Sequence, residues 1–197
     1  VSLGVNVHVA MNVNFLHDLL SATSWQQGYL ESLRESLGVC SFFLVAALAG
    51  RSEPRVAAVM VAIAGIGLAS YSRLNSVQGV IAASMFWSFG FHVWAPISGS
   101  MQLGFARQGS EGRTMGTLGS VGALGMLTAL GGVWVLRRVA GLGMREIFLV
   151  GGSLTALAAI PLLMIPAVRV PASGVMPFRE AFSRRYRLYS GLEMLDG

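Results

Sequence analysis

Lysine is absent from this 197-residue chain: all fourteen basic residues are arginine. Acid is scarce as well, with nine carboxylate side chains, and the only aspartates are Asp18 and Asp196. Charged residues make up 12% of the sequence, about half of the ~25% that a soluble domain carries. The single cysteine, Cys40, excludes an intramolecular disulfide framework and a paired-cysteine metal site. It lies in an apolar run and reads as a small buried hydrophobe. No HExxH motif occurs, neither aspartate falls inside an apolar run, and no His or carboxylate stands three or four residues from His92. These gaps argue against an intramembrane hydrolase and a local metal pair. Ser88 and His92, four residues apart, can touch, but nothing marks Ser88 as a nucleophile. No enzyme, cofactor or metal role is therefore expected. The arginines are interspersed between apolar runs or follow the last one, so they read as topology markers and not as a nucleic-acid footprint.

What is plentiful is apolar sequence. Hydrophobic residues make up 54% of the chain, and residues 56–72, 74–106, 114–136 and 147–168 contain no Asp, Glu, Lys or Arg. A membrane helix needs roughly 20 mostly apolar residues to cross about 30 Å of hydrocarbon. Residues 36–50 form a shorter uncharged run that extends back through Leu33 and Leu30, and residues 1–16 form another. The count is six spans, with the lipid bilayer as the first partner. Only helices or closed barrels satisfy their backbone groups in lipid. The expected fold is thus an all-α integral membrane protein, a six-transmembrane-helix bundle over residues 1–168. Residues 169–197 follow as a basic amphipathic segment in which Phe178, Phe182, Tyr186 and Tyr189 alternate with arginines. No basic segment precedes the first apolar run, so a signal peptide is not expected.

Loops after the second, fourth and sixth spans hold nine arginines: 51, 55, 107, 113, 169, 179, 184, 185 and 187. The opposite side holds five: 34, 73, 137, 138 and 145. Arginine-rich loops stay cytoplasmic, so both ends of the chain are expected inside. The chain begins at Val1 and ends soon after a basic stretch, and it reads as a fragment.

The spans differ in polarity. The third and sixth are almost wholly apolar and suit a lipid-facing position. The first carries Asn6, His8, Asn12 and Asn14, and the fourth carries Ser84, Trp87, Ser88, His92 and Trp94. Polar side chains at membrane depth face a bundle interior or a wet cavity. Ser84, Ser88 and His92 recur every four residues and share one helical face, with Trp87 and Phe91 beside it. His8 and Asn12 are likewise one turn apart. Two readings stay open for these residues: a structural hydrogen bond to a neighbouring helix, or the lining of a substrate cavity. Pro96 removes a backbone hydrogen bond one turn after His92 and favours a kink. Glu31, Arg34 and Glu35 can pair on one face near the start of span two. They read either as a solvated outer helix end or, with Asp18, as charges at the outer mouth. Gly112, Gly116, Gly119, Gly122 and Gly125 around span five predict close helix packing.

This helix order resembles the N-terminal half of a major facilitator superfamily transporter. The resemblance implies one half of a 12-helix fold, in which the first and fourth helices line a central cavity and the missing C-terminal six-helix half completes it. It implies secondary transport of a small-molecule substrate by alternating access, proton-coupled or facilitative. The substrate cavity would be His92, Trp87, Ser88, His8 and Asn12. The loop AGRSEPR sits where the family carries a cytoplasmic Gly-x-x-x-Asp-Arg-x-Gly-Arg-Arg signature. Gly50, Arg51, Glu53 and Arg55, with Arg113, would form the cytoplasmic gate, although the signature aspartate is absent. The Arg-x-x-x-Gly pattern of helix four and the Gly-Pro of helix five are absent too. Bacterial members are similar around SFGFHVWAP and RRYRLYS, which implies a bacterial cytoplasmic membrane. The alternatives are a non-transporting membrane scaffold or assembly protein and, further off, an intramembrane enzyme.

Overall fold

The computed structural model describes residues 2–48 and 50–166, and within them every regular element is helical. Helix α1 (Ser2–Asn14) runs on through a π-helical turn at Phe15–Leu19, and α2 covers Ser24–Ala47. Then come α3 (Glu53–Ser70, extended by a 3-10 turn to Arg73), α4 (Val77–Phe105) and α5 (Glu111–Arg138). The sixth span is split into α6 (Met144–Leu157) and α7 (Ala159–Leu163). Among the described residues four of the six expected spans, α3, α4, α5 and α6–α7, are long and apolar enough to cross a membrane; α1 is too short and α2 too polar to meet that measure. The aromatic and arginine-rich segment expected at 169–197 lies outside the described residues.

Local chemistry sets the boundaries. Ser21 takes a left-handed conformation (φ 51°) and turns the chain. A capping box then starts α2: the Gln26 amide donates to Thr23 Oγ1 at 3.3 Å, and the Thr23 amide donates to Gln26 Oε1 at 2.9 Å. Gly50, at φ +82°, follows the end of α2, and Pro54 sits in the first turn of α3. Pro161 explains the break in the sixth span, because its ring clashes with the carbonyl four residues earlier, at Leu157, where α6 stops. Pro96 does not interrupt α4, which is one continuous helix.

Helix α3 is the most enclosed span. Half of its most apolar window is buried against other helices, compared with 6% for α5. This corrects two expectations. The apolar third and sixth spans are not chiefly lipid-facing: they pack on one another where a Cβ on Gly65 would strike Ala156 and one on Gly152 would strike Ala69. The same device joins α3 to α4, with Gly67 against Trp87 and Gly90 against Met60 and Ala64. The glycines of α5 do not pack closely: Gly112, Gly116, Gly119 and Gly122 have no neighbour within 4 Å of where a Cβ would stand. Cys40 is exposed, not buried. Its helix turns it away from α4, where Gly38 faces His92 instead.

With α6–α7 taken as one sixth span, the largest helix pairings are α3 with α4, α3 with α6, α2 with α4, α1 with α5, and α1 with α6. Exchanging each helix for the one three places along returns the same set: α1–α5 becomes α4–α2, and α1–α6 becomes α4–α3. Short connections make successive helices antiparallel, so the two three-helix units have opposite orientations. Their outer corner is fastened by Arg145, which donates to the carbonyls of Ser72 (3.2 Å) and Leu74 (2.8 Å) and to Asn75 Oδ1 (2.9 Å).

Opposite outcomes are expected for two glycine substitutions. Gly152→Ala forces α6 off α3 and lowers the melting temperature of the purified protein. Gly119→Ala meets open space and is neutral or stabilising by up to about 1 kcal/mol. Equal melting of the two variants would show that the α3–α6 contact is not tight.

Candidate functional site

Glu31, Arg34 and Glu35 do not sit at a helix end. Helix α2 starts at Ser24, so Arg34 lies ten residues inside it, about 15 Å along the axis at 1.5 Å per residue. That is roughly half the thickness of a bilayer core. Arg34 also drops out of the loop arginines on the side expected to face outward, leaving four there: Arg73, Arg137, Arg138 and Arg145.

The Arg34 guanidinium holds both carboxylates. Its Nε donates to Glu31 Oε2 at 2.8 Å, and a terminal nitrogen lies 2.6 Å from Glu31 Oε2 and 2.6 Å from Glu35 Oε1. The Arg34 side chain is 19% exposed, while that of Glu35 is 56% exposed. The guanidinium carbon stands 5.5 Å from the centre of the Trp87 ring. A cation over indole adds about 0.5–2 kcal/mol, more as water is excluded.

Two other helices converge on this triplet. From α1, Asn12 Nδ2 donates to Glu31 Oε1 at 3.2 Å. The His8 ring packs 4.5 Å from Trp87, centre to centre. From α4, Ser88 Oγ donates to the Arg34 carbonyl at 3.2 Å, and His92 Nε2 lies 3.6 Å from Glu35 Oε2. Gly38 gives His92 its room, because a Cβ there would stand 3.2 Å from the imidazole. The five residues read from sequence as cavity lining, His92, Trp87, Ser88, His8 and Asn12, thus meet at one place, joined through Glu31, Arg34 and Glu35. The site is graded. His8, Asn12, Trp87, Ser84 and Ser88 form a buried base, and Glu35 and Glu31 open outward.

The base carries polar atoms without partners: His8 Nε2, Asn12 Oδ1, Ser84 Oγ and Trp87 Nε1. Tyr71 lies beside Ser84 and Trp87, with its hydroxyl outside full hydrogen-bonding geometry to either. The Asn12 oxygen is left over for a chemical reason. Glu31 only accepts, so the amide nitrogen must face it. Pro96 adds another free acceptor, since it has no N–H to give the His92 carbonyl. Each such group costs about 1–3 kcal/mol if left dry and unpaired. Their concentration at the crossing of α1, α2 and α4 fits a place where polar partners come and go.

Asp18 is not part of the cluster. It pairs with its neighbour His17 at 2.9 Å on the exposed side of the π turn. The expected gate residues divide. Gly50, Arg51 and Arg55 line a cavity of about 660 Å³ beside the start of α3. Glu53 points elsewhere and accepts from Ser100 Oγ of α4 at 2.8 Å. Arg113 is exposed in the first turn of α5. Among the described residues, no ion pair joins Arg51, Arg55 or Arg113 to an acid. No group of three His, Cys, Asp or Glu residues among the described residues could hold a metal ion. Glu35 and Tyr71 gain most from the tertiary structure. Glu35 was visible four residues after Glu31, but its approach to His92 was not, and nothing in sequence placed Tyr71 at the base. Compared with protein-family models, curated proteins and solved structures, the chain matches none of them.

Removing Arg34 leaves two carboxylates facing each other at depth. Arg34→Met is expected to lower stability by about 2–3 kcal/mol, below the 3–5 kcal/mol of a fully buried pair because the glutamates are half open. Adding Glu35→Gln should recover part of the loss. Melting of both variants and the parent in one detergent checks this. Unchanged melting of Arg34→Met would make the triplet a solvated surface group.

Proposed function

We propose that this chain is one six-helix unit of a secondary transporter of the major facilitator type and moves a small solute across a membrane by alternating access. The observation that carries the reading is the polar crossing of α1, α2 and α4, where a three-residue charge cluster lies about 15 Å along a helix. Ionisable groups at membrane depth mark solute or ion pathways. The repeat relation among the helix pairings supports it, because transporter folds place their sites at the interface of inverted repeats. In this reading α1 and α4 carry the site, and His92 and Glu35 form its mobile edge. The outward surfaces of α2 and α5 meet the second six-helix unit. Both chain ends face the cytoplasm, and Arg51 and Arg55 lie on that side. Removing Arg34 from the outer arginines supports that orientation.

A scaffold is the second reading, favoured by the bare face of α5. An enzyme finds less support: Ser88 donates its proton to the Arg34 carbonyl and not toward His92.

Access from both sides separates transporter from scaffold. Ala95, half-buried and three residues from His92 on α4, is changed to cysteine in a Cys40→Ser background. Membrane-impermeant maleimide is then applied to right-side-out and inverted vesicles. Alternating access predicts labelling from both sides, whereas labelling from one side only or from neither would overturn it. His92→Ala should abolish solute uptake at unchanged expression.

A further inference from the structure

We propose that the cavity beside the start of α3 is a binding site for an anionic phospholipid, whose phosphate is held by Arg51 and Arg55. This rests on the bilayer placement above and not on transport.

The cavity, about 660 Å³, is lined by the polar residues Arg51, Ser52 and Arg55 together with the apolar Leu48, Val56 and Val59. Two positive charges thus stand over an apolar wall. Neither arginine makes an ion pair or side-chain hydrogen bond among the described residues. The neighbouring acid does not neutralise them, because Glu53 is engaged by Ser100 on the far side of the helix end. Ser52, half-buried, lines the same cavity, and its hydroxyl, itself shielded, has no partner. The N-terminus of α3 adds its partial positive charge. Guanidinium pairs bind phosphate through two parallel N–H···O bonds.

The apolar side argues for a lipid and not a soluble anion. Arg55, Val59 and Ile66 follow one outward stripe of α3, and all three are exposed. From Arg55 to Ile66 is eleven residues, about 17 Å at 1.5 Å per residue. One leaflet of hydrocarbon is about half of 30 Å. A headgroup phosphate on the arginines therefore leaves an acyl chain an exposed apolar stripe about one leaflet long to lie against. The charge pattern excludes a preference for zwitterionic headgroups, whose added ammonium would face two arginines.

The test is native mass spectrometry and melting of the purified protein in neutral detergent with added phosphatidylglycerol, phosphatidylcholine or inorganic phosphate. Phosphatidylglycerol should bind at least tenfold more tightly than phosphatidylcholine, since one charge-assisted hydrogen bond is worth roughly 1.5–3 kcal/mol and about 1.4 kcal/mol is tenfold. Arg51→Gln with Arg55→Gln should remove that preference. Arg137→Gln with Arg138→Gln, at the opposite end of the bundle, should keep it. Val59→Asp, which breaks the apolar stripe and leaves both arginines, should also weaken phosphatidylglycerol. Equal binding of the two lipids, or a preference that survives the Arg51/Arg55 change, overturns the proposal. So does equal protection by inorganic phosphate, which would make the cavity a soluble-anion site. Vesicle labelling that rejects alternating access leaves the lipid measurement free to succeed or fail separately.

Discussion

Arg34 is held between two carboxylates about halfway along a helix, and much of the bundle is arranged around that fact. A guanidinium so shielded from water is costly unless its donors are taken up and its surroundings are polar or polarisable. Glu31, one turn before, and Glu35, the next residue, take up the donors, and the Trp87 face covers the cation. Asn12 reaches across from α1 to the first carboxylate, and Ser88 caps the Arg34 carbonyl from α4. The requirement of one charged residue thereby brings three helices to a common crossing. The excess negative charge is left on the open side, at Glu35.

The rest of the bundle supplies rigidity to that crossing. Helix α3 serves as the spine, with α4 on one side and α6 on the other, at separations that only hydrogen-sized side chains permit. Trp87 lies between these two functions. Its backbone is pressed against Gly67 of α3, while its ring carries Arg34 above and His8 beside it. The packing of an apolar spine thus fixes the position of a polar site. By contrast, α5 and the outward side of α2 contribute little burial, with large apolar residues such as Phe42, Phe43 and Leu127 exposed. In water such surfaces would drive association. In a bilayer, or against a second helical unit, they need no further covering.

Much of this was legible from residue types alone. Long charge-free runs marked the four helices that are apolar and long enough to cross a membrane, because a hydrocarbon slab of fixed thickness would impose such a length. Helical periodicity put Ser84, Ser88 and His92 on one face and His8 over Asn12, and those faces do meet. The glycines misled, because a small residue permits close approach without saying whether a neighbour arrives. Gly65 and Gly152 are at crossings, and Gly119 and Gly122 face open space. The lipid-facing expectation for the third and sixth spans failed for a related reason: a helix buried in protein and a helix buried in lipid both need apolar surfaces.

Residue types and their spacing were enough to establish that the chain is helical, that its helices are long and apolar, and that its few polar groups within them lie on one-sided stripes. These follow from backbone hydrogen bonding and the 3.6-residue turn, which are local. The packing of the helices was needed to show that the Glu31–Arg34–Glu35 triplet belongs to the site and Asp18 does not, that Glu53 turns to Ser100, and that Arg51 and Arg55 share a cavity. Those outcomes depend on where helix axes cross. The crossings are set by close contacts between residues far apart in the chain, such as Gly67 with Trp87 and Gly65 with Ala156, and no local pattern encodes them.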